Sequence, residues 1–280
     1  MQIHFFRRGR RWDSALLPLD DNTFGLILQF RVRLVRIEPT TRFFMGDTYA
    51  LGDGILHDFY GRFHLNAWAD PEWQKYKTDF VDVVQHHWSD KFVLDPDRAW
   101  YRPRLGANLT SAIIQCGFSI QLVESSAEAH QTYRIIHPQE TNFRSFAIPT
   151  TRTGLFTHRD VESDWGNKLT RVGNAQHSID FLQTAVNHEF GHTLGLAHVR
   201  GSGNSDNNYG ITLEERENQM GLGGRLIAAH GRPWLRTLWD QHHLFPQRNH
   251  PDDRVKFTAR VASPQLIEYW DNDWQPAATT

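Results

Sequence analysis

The segment His188-Glu189-Phe190-Gly191-His192-Thr193-Leu194-Gly195-Leu196-Ala197-His198 combines residue types and spacings that specify a chemistry. On a helix, residues four apart stand one turn above each other, so His188 and His192 offer two imidazole nitrogens to one point in space. Glu189 sits beside that face, within reach of a water on an ion held there. Gly195 has a different task. The helix must stop so that the chain can turn back and deliver His198 as a third ligand, and glycine takes up a positive φ at little cost. Three imidazoles leave one position of a tetrahedral ion open, which is the ligand pattern of catalytic zinc. A structural site closes all four positions, usually with cysteines, and this chain has only Cys116. Affinity order alone favours copper, so zinc rests on the ligand set and its geometry. The chemistry expected of such a site is hydrolysis by a zinc-bound water, with Glu189 as the general base.

The long form HExxHxxGxxH resembles the metzincin clan of zinc peptidases, whose pattern also includes a methionine turn. Asn218-Gln219-Met220-Gly221 supplies the matching methionine, and the resemblance implies that Met220 forms an apolar floor beneath the metal. Upstream, Val84-Gln85-His86-His87-Trp88-Ser89 is similar to the end of the clan's first large helix, and His158-Arg159-Asp160 to Trp165 to its last strand and following loop. The implied fold is α+β: a twisted mixed β-sheet, an active-site helix ending at a glycine, then a smaller C-terminal subdomain with the Met-turn and a final helix. The implied activity is that of a zinc endopeptidase holding one catalytic Zn2+ and acting on a protein or peptide substrate. In the clan the substrate lies between an edge strand and the active-site helix, and Phe143 to Pro149 is the candidate edge. Leu222 stands where astacin-like and serralysin-like enzymes carry a tyrosine ligand, and Val199 follows the third histidine where those families carry identifying residues. The resemblance therefore reaches the clan and no named family within it. For the group that holds the developing oxyanion, Tyr209 and His230 are candidates by position, with packing or surface roles the plainer reading of each.

These side chains need a scaffold. Phe24 to Ile37 reads as a strand, with Phe30, Val32 and Leu34 alternating against Arg31 and Arg33; the basic face reads as solvated. A second extended stretch, Ile55 to Trp68, follows the turn signal Gly52 to Gly54. Asp70 caps a predicted helix with Pro71 at its first position, and Trp73, Tyr76, Phe80, Val83, Val84, His87 and Trp88 recur at helical spacing as its core side. Strands are predicted at Lys91 to Leu94, Ser111 to Val123, Gln131 to His137, Phe143 to Pro149 and Leu155 to His158. Ser178 reads as the N-cap of the motif helix, with Ile179, Leu182, Ala185, Val186 and Phe190 as its apolar side up to Leu194. Gly201 to Gly210 reads as an irregular loop, Pro233 as the start of a short final helix, Val255 to Val261 as a last strand and Gln275 to Thr280 as a frayed tail. This order fits an α/β or α+β domain. The expected division is a β-rich region over 1–69, a catalytic domain over 70–248 with an upper part 70–198 and a lower part 199–248, and a strand and tail over 249–280.

At 280 residues the chain can bury a sizeable core, and its 39% hydrophobic and 22% charged residues are ordinary for a globular protein. A net charge of −2 gives no electrostatic reason to expect nucleic acid or an anionic membrane as partner. One cysteine rules out an intrachain disulfide, and no apolar run reaches the length of a membrane span or of a signal peptide's core. Cytoplasmic synthesis is the expectation, with export by a leaderless route if the chain is a toxin or effector protease that has an inhibitor or immunity protein as partner. The competing reading from another class is a zinc-binding interaction module that keeps the fold and cuts nothing. Glu189 speaks against it, because such a module has no need of a base.

Overall fold

A computed structural model describes residues 5–19, 23–97, 104–105, 108–109, 113–242, 256–262, 265–266 and 268–274. The expected tail at 275–280 and the first residues of the strands expected from Ser111 and from Val255 lie outside these. In chain order the elements are β1 (Phe5–Arg7), β2 (Asp13–Pro18), β3 (Thr23–Arg36), β4 (Arg42–Met45), β5 (Thr48–Leu51), β6 (Ile55–Asp58), β7 (Gly61–His64) and α1 (Asp70–Trp88). There follow β8 (Phe92–Pro96), β9 (Arg104–Leu105), β10 (Asn108–Leu109), β11 (Ile113–Leu122), β12 (Gln131–Ile136), β13 (Phe146–Ile148), β14 (Thr153–Thr157), β15 (Ser163–Val172) and β16 (Ala175–Thr184). The chain then forms α2 (Ala185–Thr193), α3 (Leu213–Arg216), α4 (Arg232–His242), β17 (Phe257–Val261) and β18 (Tyr269–Asp271). The class is α+β, with mixed twisted sheet and few helices, and among the described residues no helix is long and apolar enough to cross a membrane.

The chain forms two compact units, one of Met1–Leu34, Val81–Thr132 and Leu226–Pro264, the other of Val35–Phe80, Tyr133–Arg225 and Gln265–Thr280. In the first, β2 runs antiparallel and β11 parallel to β3, β8 runs antiparallel to β11, and β17 antiparallel to β8. The period-two pattern of β3 explains its place: Leu26, Leu28, Phe30 and Val32 are fully buried. Its basic face is spent locally, Arg31 pairing with Asp13 and the Arg33 Nε donating to the Glu124 carbonyl at 2.8 Å. Trp234 of α4 is buried against Phe92 and donates its Nε1–H to the Gly117 carbonyl at 2.8 Å. Cys116 is buried in β11, where burial pushes its thiol well above the ordinary value, so it packs as a small hydrophobe.

The second unit contains the whole histidine motif. The antiparallel meander β4–β5–β6–β7 replaces the single extended stretch expected from Ile55, because Asp58 closes a tight turn by accepting from the Tyr60 and Gly61 amides. Leu56 and Phe63 of that meander share a core with Ile37, Ile136, Phe143 and Leu155. β13 is the terminal strand of its sheet and pairs only with β14, Ala147 opposite Gly154. Behind them, Phe80, Tyr133, Phe156 and Phe190 form a buried aromatic cluster, with Tyr133 and Phe156 edge to face at 4.9 Å. Burial of Phe190 there, of order 1.5–3 kcal/mol, fixes α2 by its apolar side.

The start of α2 differs from expectation. Ser178 lies in β16, and the N-cap is Thr184, which makes no side-chain capping bond. Residues 175–184 pair with 163–172 in one long antiparallel ladder, so that Ile179 and Phe181 are buried by alternation and not by helical spacing. The first helical turn is held instead by the Asp160 carbonyl, which accepts from the Val186 amide at 3.0 Å. The candidate edge is also shorter than Phe143 to Pro149: only Phe146–Ile148 is a strand, and the Ser145 hydroxyl turns inward to donate to buried Asp160.

Candidate metal centre

α2 places His188 and His192 on one side, and the chain beyond it brings back His198. The helix ends in a Schellman turn: the Gly195 amide donates to the His192 carbonyl at 2.8 Å and the Leu196 amide to the Gly191 carbonyl at 3.0 Å. Gly195 has a φ of +87°, in the left-handed region that costs other residues about 1–2 kcal/mol. Gly195→Ala should therefore lower the melting temperature and weaken metal binding together, as measured by thermal denaturation and chelator competition. An alanine variant with unchanged metal affinity would show that this turn does not place His198.

One nitrogen from each of His188, His192 and His198 lies within 4.8 Å of the other two. The nearest pair, the Nε2 atoms of His192 and His198, is 3.0 Å apart. Tetrahedral nitrogens about 2.0–2.1 Å from one zinc ion stand roughly 3.3 Å apart, so modest adjustment brings the set onto one ion. The opposite ring nitrogens decide the tautomer. The Nδ1 of His188 lies 2.9 Å from the Gln219 carbonyl, that of His192 2.9 Å from the Leu196 carbonyl, and that of His198 2.8 Å from the Gly203 carbonyl. A carbonyl can only accept, so the Nδ1 of His192 and of His198 carries the proton and their Nε2 atoms present lone pairs; at His188 the closer Gln219 carbonyl sets the same tautomer, the Gln183 amide 3.1 Å from that Nδ1 having the Gly221 and Gly223 carbonyls to donate to. The Nε2 of His188 is buried without any hydrogen-bond partner. Three lone pairs aimed at one point, one of them orphaned, fit a metal cation and nothing the chain itself supplies.

Electrostatics agrees with the ligand role. Burial, then the neighbouring His192 and His198, hold the His188 imidazole well below its ordinary value. Burial also lowers His192 and, with His192 beside it, brings His198 down to about 4. All three are neutral at pH 7, as metal binding requires. Glu189 is half-buried, and desolvation there pushes its carboxyl up to about 8. Its Oε2 accepts from the Ala147 amide of β13 at 2.9 Å, so the carboxyl group is held between helix and edge strand. Glu189, His192 and His198 line a cleft of about 820 Å³ that is also lined by Phe146 to Pro149 and the β6–β7 turn.

The other sequence candidates divide. The ring of Tyr209 stands 4.1 Å from that of His198 and 5.6 Å from that of His188, so it belongs to the site. His230 belongs to the first unit, buried near Trp88 with its Nδ1 accepting from the Ile227 amide, and burial brings it down to about 4. Met220 is buried, and its turn is tied to the ligands through its own backbone: the Val199 amide donates to the Met220 carbonyl at 3.3 Å, next to the Gln219 carbonyl that holds His188. Gln183 and Arg144 were not singled out by sequence, and Asp160 was named only as part of a strand and loop. The Gln183 amide donates to the carbonyls of Gly221 and Gly223, tying the end of β16 to the methionine turn, and its place five residues before His188 was the one available signal. Asp160 accepts from the Ser145 hydroxyl and from the amide and hydroxyl of Thr157. Comparison of the chain with protein-family models, with curated proteins and with solved structures yields no match.

Proposed function

We propose that the chain is a zinc-dependent endopeptidase that hydrolyses peptide bonds in the cleft beside α2. The observation that carries this reading is the set of three Nδ1–H donors clamped by carbonyls, with three Nε2 lone pairs left to converge beside a half-buried carboxyl group. A zinc ion held by His188, His192 and His198 would supply Lewis acidity to polarise the scissile carbonyl and acidify a water. The chain's own groups do the rest. Glu189 takes the proton of the attacking water and passes it to the leaving amine, a task suited to a carboxyl group held beside the three imidazoles by the Ala147 amide. β13 is the terminal strand of its sheet, with only its Ala147 amide taken by Glu189, so an extended peptide can add beside it and present its carbonyl to the cleft. Met220 is proposed as packing beneath the ligands and not as a ligand itself.

The deciding experiment is cleavage of a peptide library by zinc-loaded protein, with and without a chelator. Chelator-sensitive cleavage is the expected result; no cleavage of any peptide sinks the reading and favours a zinc-binding interaction module. For the methionine, Met220→Leu should retain one zinc per chain and activity within a few-fold, because a volume-conserving exchange costs less than about 1.5 kcal/mol. Loss of stoichiometric zinc from that variant, by elemental analysis, would make the sulfur a ligand.

A further inference from the structure

Arg144 immediately precedes the turn of the chain into β13, and its guanidinium group faces the metal cleft. It donates through Nη2 to the Tyr209 hydroxyl and through Nη1 to the Tyr60 hydroxyl at 3.4 Å. Its Cζ stands 5.4 Å over the Tyr209 ring, the same ring that packs on His198 at 4.1 Å. One tyrosine thus separates the cation from a metal ligand. Two neutral phenols leave most of a five-donor fork unused, and among the described residues no carboxylate pairs with Arg144. No described carboxylate is hydrogen-bonded to this half-buried cation, although the Glu189 carboxyl group is near enough to feel its charge, so most of the fork is left for a partner that arrives.

The neighbouring acids are engaged elsewhere or lie at the rim. Asp58 accepts from the amides of its own turn, Glu189 accepts from the Ala147 amide, and Asp206 pairs with Lys168 and Arg216. Asp47 sits exposed at the β4–β5 turn. A planar guanidinium fork matches a carboxylate in bidentate fashion.

We propose that Arg144 anchors a carboxylate subsite, so that the peptides preferred in this cleft carry a free carboxylate next to the scissile bond. This assignment, which rests on the peptidase reading above, admits two sources of one chemistry: an Asp or Glu side chain within the peptide, or the peptide's own terminal carboxylate. Arg144 is a specificity residue here. It contacts the substrate's flanking charge and not the reacting carbonyl.

The test begins with binding, which does not depend on cutting. Full-length, zinc-loaded Glu189→Gln protein is titrated with four fluorescent peptide pools: fixed central Glu or fixed central Gln, each as free acid and as terminal amide. A charge-assisted bidentate contact should make the carboxylate pools bind about ten- to a hundredfold tighter. A Glu-over-Gln gap identifies the side chain as the source, and an acid-over-amide gap the chain terminus. Adding Arg144→Met should abolish the gap while zinc stoichiometry stays at one, and Arg144→Lys should restore part of it. Should Arg144→Met fail to fold, the lysine variant carries the comparison, because an unchanged gap there overturns the assignment. So does the absence of any gap in the parent protein, or a gap that survives Arg144→Met.

Cutting by protein with Glu189 intact then separates the two readings. A carboxylate gap in binding with no cleavage of any pool removes the peptidase and leaves the subsite. Cleavage at equal kcat/KM across all four pools does the reverse. Arg144→Met lowering kcat equally for every pool would place Arg144 at the scissile carbonyl, and the subsite assignment would fall.

Discussion

Glu189→Gln protein should bind zinc as tightly as the parent and lose about 10² to 10⁴ of its peptide-hydrolysis rate. The carboxyl group is not one of the three convergent nitrogens, so the ligand set survives the exchange intact. The glutamine side-chain oxygen can still accept from the Ala147 amide, which keeps the tie between α2 and β13. What it cannot do is take a proton from water. Because desolvation already opposes the ionised form of half-buried Glu189, the neutral glutamine should leave the fold about as stable as the parent. Steady-state cleavage of the peptide library, with zinc content and melting temperature measured on the same samples, checks each part. Equal cleavage by parent and variant would remove Glu189 as the base. A parent that binds zinc and cuts nothing would turn the site into a binding module.

His192→Ala protein should lose zinc affinity by more than the 10- to 100-fold that follows from disturbing a group behind a ligand. Its Nε2 lies 3.0 Å from that of His198, and both nitrogens are lone-pair donors by virtue of the carbonyls on their far sides. Without His192, two nitrogens from different segments remain, and neither can close the coordination alone. The loss should be visible without any substrate. Zinc at a hundred times its dissociation constant stabilises the folded parent by about 2.7 kcal/mol, and the corresponding rise in melting temperature should vanish in the variant at the same zinc concentration. Equal zinc-dependent stabilisation of both proteins would mean that the ion sits elsewhere.

The centre was far more legible in the sequence than its surroundings. Periodicity of four placed His188 and His192 on one side, and the need for a left-handed residue placed the stop at Gly195, both local matters that a short window records. β3, α1 and α4 were legible for the same reason: alternation in the first, Asp70 with Pro71 in the second, Pro233 with Trp234 and Leu238 in the third. β15 was not. Nearly all its residues are exposed, so it carries no alternation of apolar residues, and its strand character comes from pairing with β16. The two-residue turn Gly173-Asn174 between them was a hairpin signal present in the sequence, and reading it would have moved the start of α2 from Ser178 to Thr184. Arg144 carries no motif at all. It meets Tyr209 sixty-five residues later only because the fold brings both to the same cleft.

The clamp on His188 also sets a timetable. Its proton-bearing nitrogen is held by the carbonyl of Gln219, thirty-one residues downstream, whereas His192 and His198 are held by carbonyls only four and five residues away. During synthesis the two nearer clamps can close as soon as the helix and its turn have formed. The third waits until the methionine turn has left the ribosome and docked. Until then all three imidazoles are present, but only His192 and His198 have their Nδ1 proton fixed, and His188 is free to present either ring nitrogen. Whatever preference the group has for one ion through a fixed tautomer at His188 can therefore set in only once Gln219 has docked.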